Sequence, residues 1–156
     1  YSSKTMNVEY NYPFVWKEMF GLAYRTDFDL KNHMEHSGKD LRYLDPKTNE
    51  KYIPHVIEPT FGLSRLTGTT IIDAYREEDV KGEKRVYLKF APSVAPIKVA
   101  VFPLQKDEKL REMALAVYKE IKSHYVSEFD DNGNIGKMYR RQDEIGTPLC
   151  VTIDFA

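Results

Sequence analysis

Ile97-Lys-Val-Ala-Val-Phe-Pro103 decides how the second part of this chain folds. It is an apolar run of strand length, the kind that fills a parallel strand buried on both faces. Residues 107–125 follow, with Leu110, Met113, Ala114, Val117 and Ile121 recurring at helical spacing on one face. A second strand is predicted over 126–129, a turn over 130–134, a second helix over 135–145 and a third strand over 149–155. Strand, helix, strand, helix, strand predicts an α/β domain with a mixed, largely parallel sheet and right-handed crossovers.

Working back from that run, Pro92, Ala95 and Pro96 mark a boundary, so the chain divides into 1–95 and 96–156. Residues 6–25 read as extended, with Val8, Tyr10 and Tyr12 alternating with polar neighbours until Pro13 breaks the run. Gly21 is a place where another group can approach the backbone. Thr26-Asp27-Phe28-Asp29 has the pattern of a capping box before a short helix over 30–36. Residues 37–51 read as an exposed loop or small hairpin, and 52–57 as a strand running into Glu58-Pro59. Gly62 predicts a sharp turn, followed by a helix over 64–78. Gly68, Thr69 and Thr70 are poor helix formers, so burial must hold that helix. A short strand is predicted over 85–90.

The composition excludes several classes of function. The 156 residues are 42% hydrophobic and 30% charged, with 8 Gly and 8 Pro, an ordinary globular balance with enough length for a core. No apolar run reaches a membrane-spanning length of about 18 residues, and no leader pattern opens the chain, so no membrane association is expected. Cys150 is the sole cysteine and no Asn-x-Ser/Thr site occurs, which reads as an intracellular, cytoplasmic protein. The first residue is Tyr1, which reads as part of a longer protein. Net charge is −1, and both parts are balanced, so RNA contact must be local and shape-specific.

Some motif matches fail on their chemistry. Asp130-x-Asn132-x-Asn134 lacks the Gly and the terminal Glu of a calcium loop and reads as a solvated turn. His33 and His36 lack companion ligands, and Gly133-x-x-Gly136 lacks a third glycine. Cys150 has no basic neighbour in the sequence and reads as a small core residue. No metal site is expected from these residues.

His55-Val-Ile-Glu-Pro-Thr-Phe-Gly-Leu-Ser-Arg65 stands apart. Glu58 ends an apolar stretch and needs a cation or donors, while Pro59 keeps it out of helical conformation. Arg65, just past Gly62, carries the planar fork that clamps phosphate. The residue types support two readings equally, a ligand site or a structural ion pair of Glu58 with Arg65 or their neighbours.

Glu58-Pro-Thr-Phe-Gly-Leu-Ser-Arg65 resembles the third signature motif of class II aminoacyl-tRNA synthetases, in the form of the homodimeric glycyl-tRNA synthetase family. Lys17-Glu-Met-Phe-Gly-Leu-Ala-Tyr-Arg-Thr-Asp-Phe-Asp-Leu30 resembles that family's strand after the second motif. Ser37-Gly-Lys-Asp-Leu41 and Glu50-Lys-Tyr-Ile-Pro54 resemble the next loop and strand. Ala95-Pro-Ile-Lys-Val99 and Ile135-Gly-Lys-Met-Tyr-Arg-Arg-Gln-Asp-Glu-Ile-Gly146 resemble its anticodon-binding domain. The resemblance covers essentially the whole chain.

That resemblance implies an α+β part, 1–95, carrying some of a class II antiparallel sheet, followed by an α/β anticodon-binding domain, 96–156, incomplete at its C-terminus. It implies a glycine–tRNA ligase that uses ATP, delivered with Mg2+ as a substrate complex, and that is a homodimer at full length. Glu58 and Thr60 are expected to hold the glycine ammonium in a pocket completed by Pro59, Phe61 and Gly62. Glu18, Met19, Gly62, Leu63, Ser64 and Arg65 are expected around ATP, with Arg65 on the triphosphate; Arg65 and Glu58 are the expected catalytic pair. Thr60 replaces the family's usual Ser, adding a methyl to a small pocket, and Tyr24 replaces a smaller or polar residue. The first and second motifs are not among these residues, so the segment alone is not expected to complete the reaction.

Lys137, Arg140 and Arg141 lie on or near one helical face and are expected to contact tRNA(Gly); the plainer reading is a solvated face with Arg141 paired to Asp143 or Glu144. A second class of function is a synthetase-like accessory protein, such as a DNA polymerase processivity subunit. Retention of Glu18, Glu58, Thr60 and Arg65 together favours the enzyme.

Overall fold

The structure, a computed structural model, describes residues 2–155. It is a mixed α+β protein of two compact units, Tyr1–Thr69 and Thr70–Ala156. In the first, β1 (Lys4–Asn11), β2 (Trp16–Thr26) and β5 (Val56–Phe61) form an antiparallel sheet in the order β1-β2-β5. Phe20 pairs with Phe61, Gly21 with Thr60 and Ala23 with Glu58. The strand therefore lies later than the predicted 52–57 and runs through Pro59. A proline is tolerated there because β5 is at the edge of its sheet, where a missing N–H breaks no ladder.

β2 is interrupted at Arg25, which bulges between the paired Tyr24 and Thr26. Thr26 follows in a left-handed conformation (φ 54°). Bulges bend a strand and re-aim a side chain, which here turns Arg25 toward α1 (Phe28–Ser37) and β5. The capping box does not form. The Thr26 hydroxyl donates to the Arg25 carbonyl, Asp27 at the N-cap makes no side-chain cap, and Asp29 is taken by Arg25. The 37–51 stretch does contain a small hairpin, β3 (Tyr43–Leu44) with β4 (Lys51–Tyr52).

Helix α2 (Leu63–Ala74) starts in the first unit and ends in the second. Its poor helix formers are held as expected. Thr69 is buried, and its hydroxyl donates to the Arg65 carbonyl at 2.8 Å. That leaves the Tyr12 hydroxyl, 2.6 Å away, to donate to Thr69. The helix ends four residues before the predicted 78. Tyr75–Val80 is instead strand β6, paired with β7 (Glu83–Leu88). Lys81 (φ 57°) and Gly82 (φ 84°) make the two-residue left-handed turn that matches strand twist, and it overrides the helical propensity of the acidic run.

The second unit's parallel sheet is β10 (Leu149–Ile153), β8 (Val99–Pro103) and β9 (Ser127–Phe129), in that order. All five residues of β8 are buried. Val99 and Val101 face α3 (Glu108–Lys122) through Ala114, Val117 and Ile121. Ala100 and Phe102 pack with Met138 and Ile135 of α4 (Ile135–Ile145). Two helices on opposite faces explain why the run at 97–103 shows no alternation. Of the predicted α3 face, Met113 is 54% exposed and does not join the core, because Leu110, Ala114, Val117 and Ile121 already cover the sheet.

Candidate functional site

β5 ends at Phe61 directly opposite Phe20 of β2. The chain then turns through Gly62 into α2, whose first turn folds back over the start of β2. Gly62 does not need a left-handed backbone. A Cβ there would sit 3.3 Å from the Cβ of Arg65, a tight contact that glycine avoids. The Arg65 Nη1 donates to the Glu18 carbonyl at 2.9 Å. The result is an open cleft of about 490 Å³, with Glu18, Met19 and Phe20 on one wall and Thr60, Phe61, Gly62, Leu63, Ser64 and Arg65 on the other.

Glu58 and Pro59 lie upstream on β5, outside that lining. Glu58 and Thr60 project from the same face of the strand, two residues apart, and the Thr60 hydroxyl donates to Glu58 Oε1 at 3.3 Å. The other carboxylate oxygen meets Arg25 Nη1 at 2.8 Å. Of the two readings of Glu58, its ion-pair partner is a neighbour, Arg25, and not Arg65. Arg25 in turn grips Asp29 with both its Nε and Nη2, at 2.5 and 2.6 Å. That bond pushes the Asp29 carboxyl below the usual carboxylate range and the Arg25 guanidinium above its own. Gly21 pairs with Thr60, and a Cβ there would make only ordinary contacts, 3.4 Å from Asn7 Oδ1 and 3.6 Å from Glu18 Oε1. The Tyr24 hydroxyl hydrogen-bonds His55 Nδ1, which holds that larger side chain to the preceding loop.

Sequence reasoning did not find Arg25 as the partner of Glu58. Its only local signal is Asp29 four residues on; the bulge that brings it to β5 is not visible in residue types.

In the second unit, Lys137, Arg140 and Arg141 stand together on α4. Lys137 is exposed; Arg140 pairs with Glu144 at 3.3 Å. Arg141 pairs with neither Asp143 nor Glu144. It bonds Asp130 Oδ2 through Nε and Nη2, at 2.8 and 2.5 Å, and the Asn132 carbonyl at 2.5 Å. Asp143 belongs to Arg85 of β7. Cys150 packs beside Ala100, Phe102 and Met138, and burial pushes its thiol up to about 11.

β8 leads through α3 to β9 on one side, and β9 leads through α4 to β10 on the other. Such a reversal opens a crevice beyond the carboxyl ends of parallel strands, where α/β sheets place ligands. Here it is an open crevice of about 460 Å³ lined by Pro103, Gln105, Lys106, Asp107, Arg111, Asp131 and Asn132, among others.

Residues 98–156 match a family model described as "Anticodon binding domain". The whole chain is similar to proteins named glycine–tRNA ligase. That of Caldanaerobacter subterraneus subsp. tengcongensis is 56% identical over 155 residues, 99% of this chain and 33% of the relative. That of Clostridium acetobutylicum is 56% identical over 156 residues, with the same coverage, and one from Bacillus cereus is 51% identical over 155 residues. The chain is homologous to glycine–tRNA ligases. It spans about a third of the length of these relatives. In this homologue the expected ATP-site residues line one cleft, and Glu58 and Thr60 share a hydrogen bond beside it. The relatives give no support to the accessory-protein alternative.

Proposed function

We propose that this chain is part of a glycine–tRNA ligase and supplies one half of its adenylation site and an anticodon reader. One observation carries the reading: the single cleft that brings Glu18 and Met19 to Thr60–Arg65, with Glu58 two residues upstream.

Glycine offers an ammonium, a carboxylate and no side chain. Glu58, oriented by Arg25, accepts the ammonium hydrogens together with the Thr60 hydroxyl. Pro59, Phe61 and Gly62 set the limit on side-chain size, and added bulk is excluded sterically. Arg65, anchored on the Glu18 carbonyl, keeps further donors for the ATP phosphates, while Glu18, Met19, Leu63 and Ser64 complete the wall. Mg2+ arrives with ATP as a substrate complex and offsets phosphate charge. A glycine carboxylate oxygen then attacks the α-phosphorus, the bond to the bridging oxygen breaks, and pyrophosphate leaves. A terminal hydroxyl of tRNA(Gly) next attacks the adenylate carbonyl and releases AMP.

The anticodon loop is assigned to the crevice beyond β8 and β9, with Lys137 and Arg140 on the adjoining helix meeting RNA phosphates. Domains 1–95 and 96–156, a homodimer and a cytoplasmic location belong to the same proposal. No helix among the described residues is long and apolar enough to cross a membrane.

The test is ATP–pyrophosphate exchange by the full-length protein. Exchange with glycine, and not with alanine or serine, supports the ligase. A folded protein that shows no exchange overturns it.

A further inference from the structure

We infer that Arg141 is a positioning residue for anticodon reading: it fixes the 130–132 loop that walls the crevice and does not itself hold an RNA phosphate. This rests on the anticodon reading above.

The loop leaving β9 has little regular structure to define it. Three sets of bonds define it instead. The Asp130 N–H donates to the Val101 carbonyl of β8 at 3.1 Å, which pins the start of the loop to the sheet. Asp130 Oδ1 accepts the Asn132 N–H at 2.9 Å and closes a tight Asx turn. Arg141 then spends its fork on the other oxygen of Asp130 and on the Asn132 carbonyl. The Asn132 N–H and carbonyl are thereby both bonded, and the residue is exposed where it lines the crevice. From the opposite wall, Arg111 of α3 takes Asp131 at 2.8 Å, and that bond raises the guanidinium above its usual range. An arginine sits behind the loop and another in front of it.

This arrangement is poor for gripping a phosphate. A guanidinium bound through its Nε and Nη2 edge to a carboxylate that is only 11% exposed has its charge offset and that bidentate edge occupied. It is well suited to holding a reader still. A nucleobase is distinguished by donors and acceptors set in fixed geometry on its edge, so a loop that drifts loses discrimination before it loses affinity.

The two roles separate by salt dependence. A phosphate contact contributes about 0.7 to the slope of log affinity against log salt on single-stranded RNA. The experiment uses the full-length protein and two RNA hairpins, one with the glycine tRNA anticodon loop and one with a single anticodon base replaced. Arg141→Ala is expected to cut discrimination between them by about tenfold, the scale of one well-formed base contact, and to leave the salt slope unchanged. Arg141→Lys, which keeps the charge but not the fork, is expected to fail to rescue it. Asp130→Ala is expected to reproduce the loss; if Arg141 were a phosphate contact, freeing it would tighten both hairpins instead. A slope lowered by about 0.7 with discrimination intact, or tighter binding by Asp130→Ala, overturns the inference and returns Arg141 to the RNA contacts. Wild-type protein that does not tell the hairpins apart overturns the anticodon reading, and this inference with it.

Discussion

Arg25 and Glu58 meet across two neighbouring strands, Nη1 to Oε2 at 2.8 Å, because a bulge in β2 turns the arginine toward the edge strand. The same guanidinium holds Asp29, so Glu58 is oriented by a group that is itself anchored at both ends. If Glu58 accepts the glycine ammonium, losing Arg25 misplaces that acceptor without touching ATP. Arg25→Ala in the full-length protein is therefore expected to raise the KM for glycine about tenfold, the scale of one charge-assisted hydrogen bond. The KM for ATP should stay put. Steady-state exchange kinetics with each substrate varied would check this, and equal effects on both would argue against a dedicated role.

The Arg25–Asp29 bond also has a pH signature. Asp29 is held below its ordinary value of 3.8, first by the hydrogen bond from Arg25. A carboxyl depressed in the folded state contributes stability that is present above its unfolded value and lost as pH falls through the folded one. Wild type should melt higher than Asp29→Asn at pH 6, and the gap should begin to close only below about pH 4. Thermal melts across that range decide it, and a gap independent of pH would show that the carboxylate's charge is not what matters.

How much of this was legible beforehand varies with the physics involved. The apolar run at 97–103 and the helix face of Leu110, Ala114, Val117 and Ile121 were legible because burial on both sides of a sheet leaves a direct trace in composition. The cleft residues were legible through motif resemblance, which carries tertiary information that no spacing rule holds. The strand predicted over 85–90 is β7, but its partner β6 was missed because an acidic run reads as helix, and only the Lys81-Gly82 turn decides otherwise. The Arg25–Glu58 and Arg141–Asp130 pairs join residues 33 and 11 positions apart through a bulge and a loop. Their partners depend on backbone geometry, which residue types alone do not encode.

Arg65 donates to the Glu18 carbonyl from the first turn of α2, and this sets both the arginine and the cleft wall. Arg65→Ala in the full-length protein is expected to cost about 1.5–3 kcal/mol in ATP use, the value of a charged hydrogen bond. Arg65→Lys should recover only part of that, since a point charge cannot bond Glu18 and a phosphate in the same planar geometry. ATP–pyrophosphate exchange at varied ATP measures the effect, and unchanged ATP dependence in Arg65→Ala would remove the residue from the site.

Gly146 closes α4 in a left-handed conformation (φ 77°), its N–H bonded to the Gln142 and Asp143 carbonyls. It is also the tightest glycine among the described residues. A Cβ there would lie 2.4 Å from Phe90 Cδ2 and 2.9 Å from the Leu88 carbonyl, inside any permissible contact. Two costs combine in Gly146→Ala: a backbone conformation that alanine disfavours, and a collision with the chain just after β7. The substitution is expected to destabilise the protein by about 3 kcal/mol. The two costs can be separated, because only the collision involves the Phe90 ring. Phe90→Ala in the Gly146→Ala background should therefore recover part of the loss, leaving the backbone strain and the Leu88 carbonyl contact in place. Urea unfolding of the two single variants and the double variant measures the coupling. Strictly additive effects would mean that the ring moves aside at no cost, and that the backbone conformation and the Leu88 carbonyl fix glycine at this position.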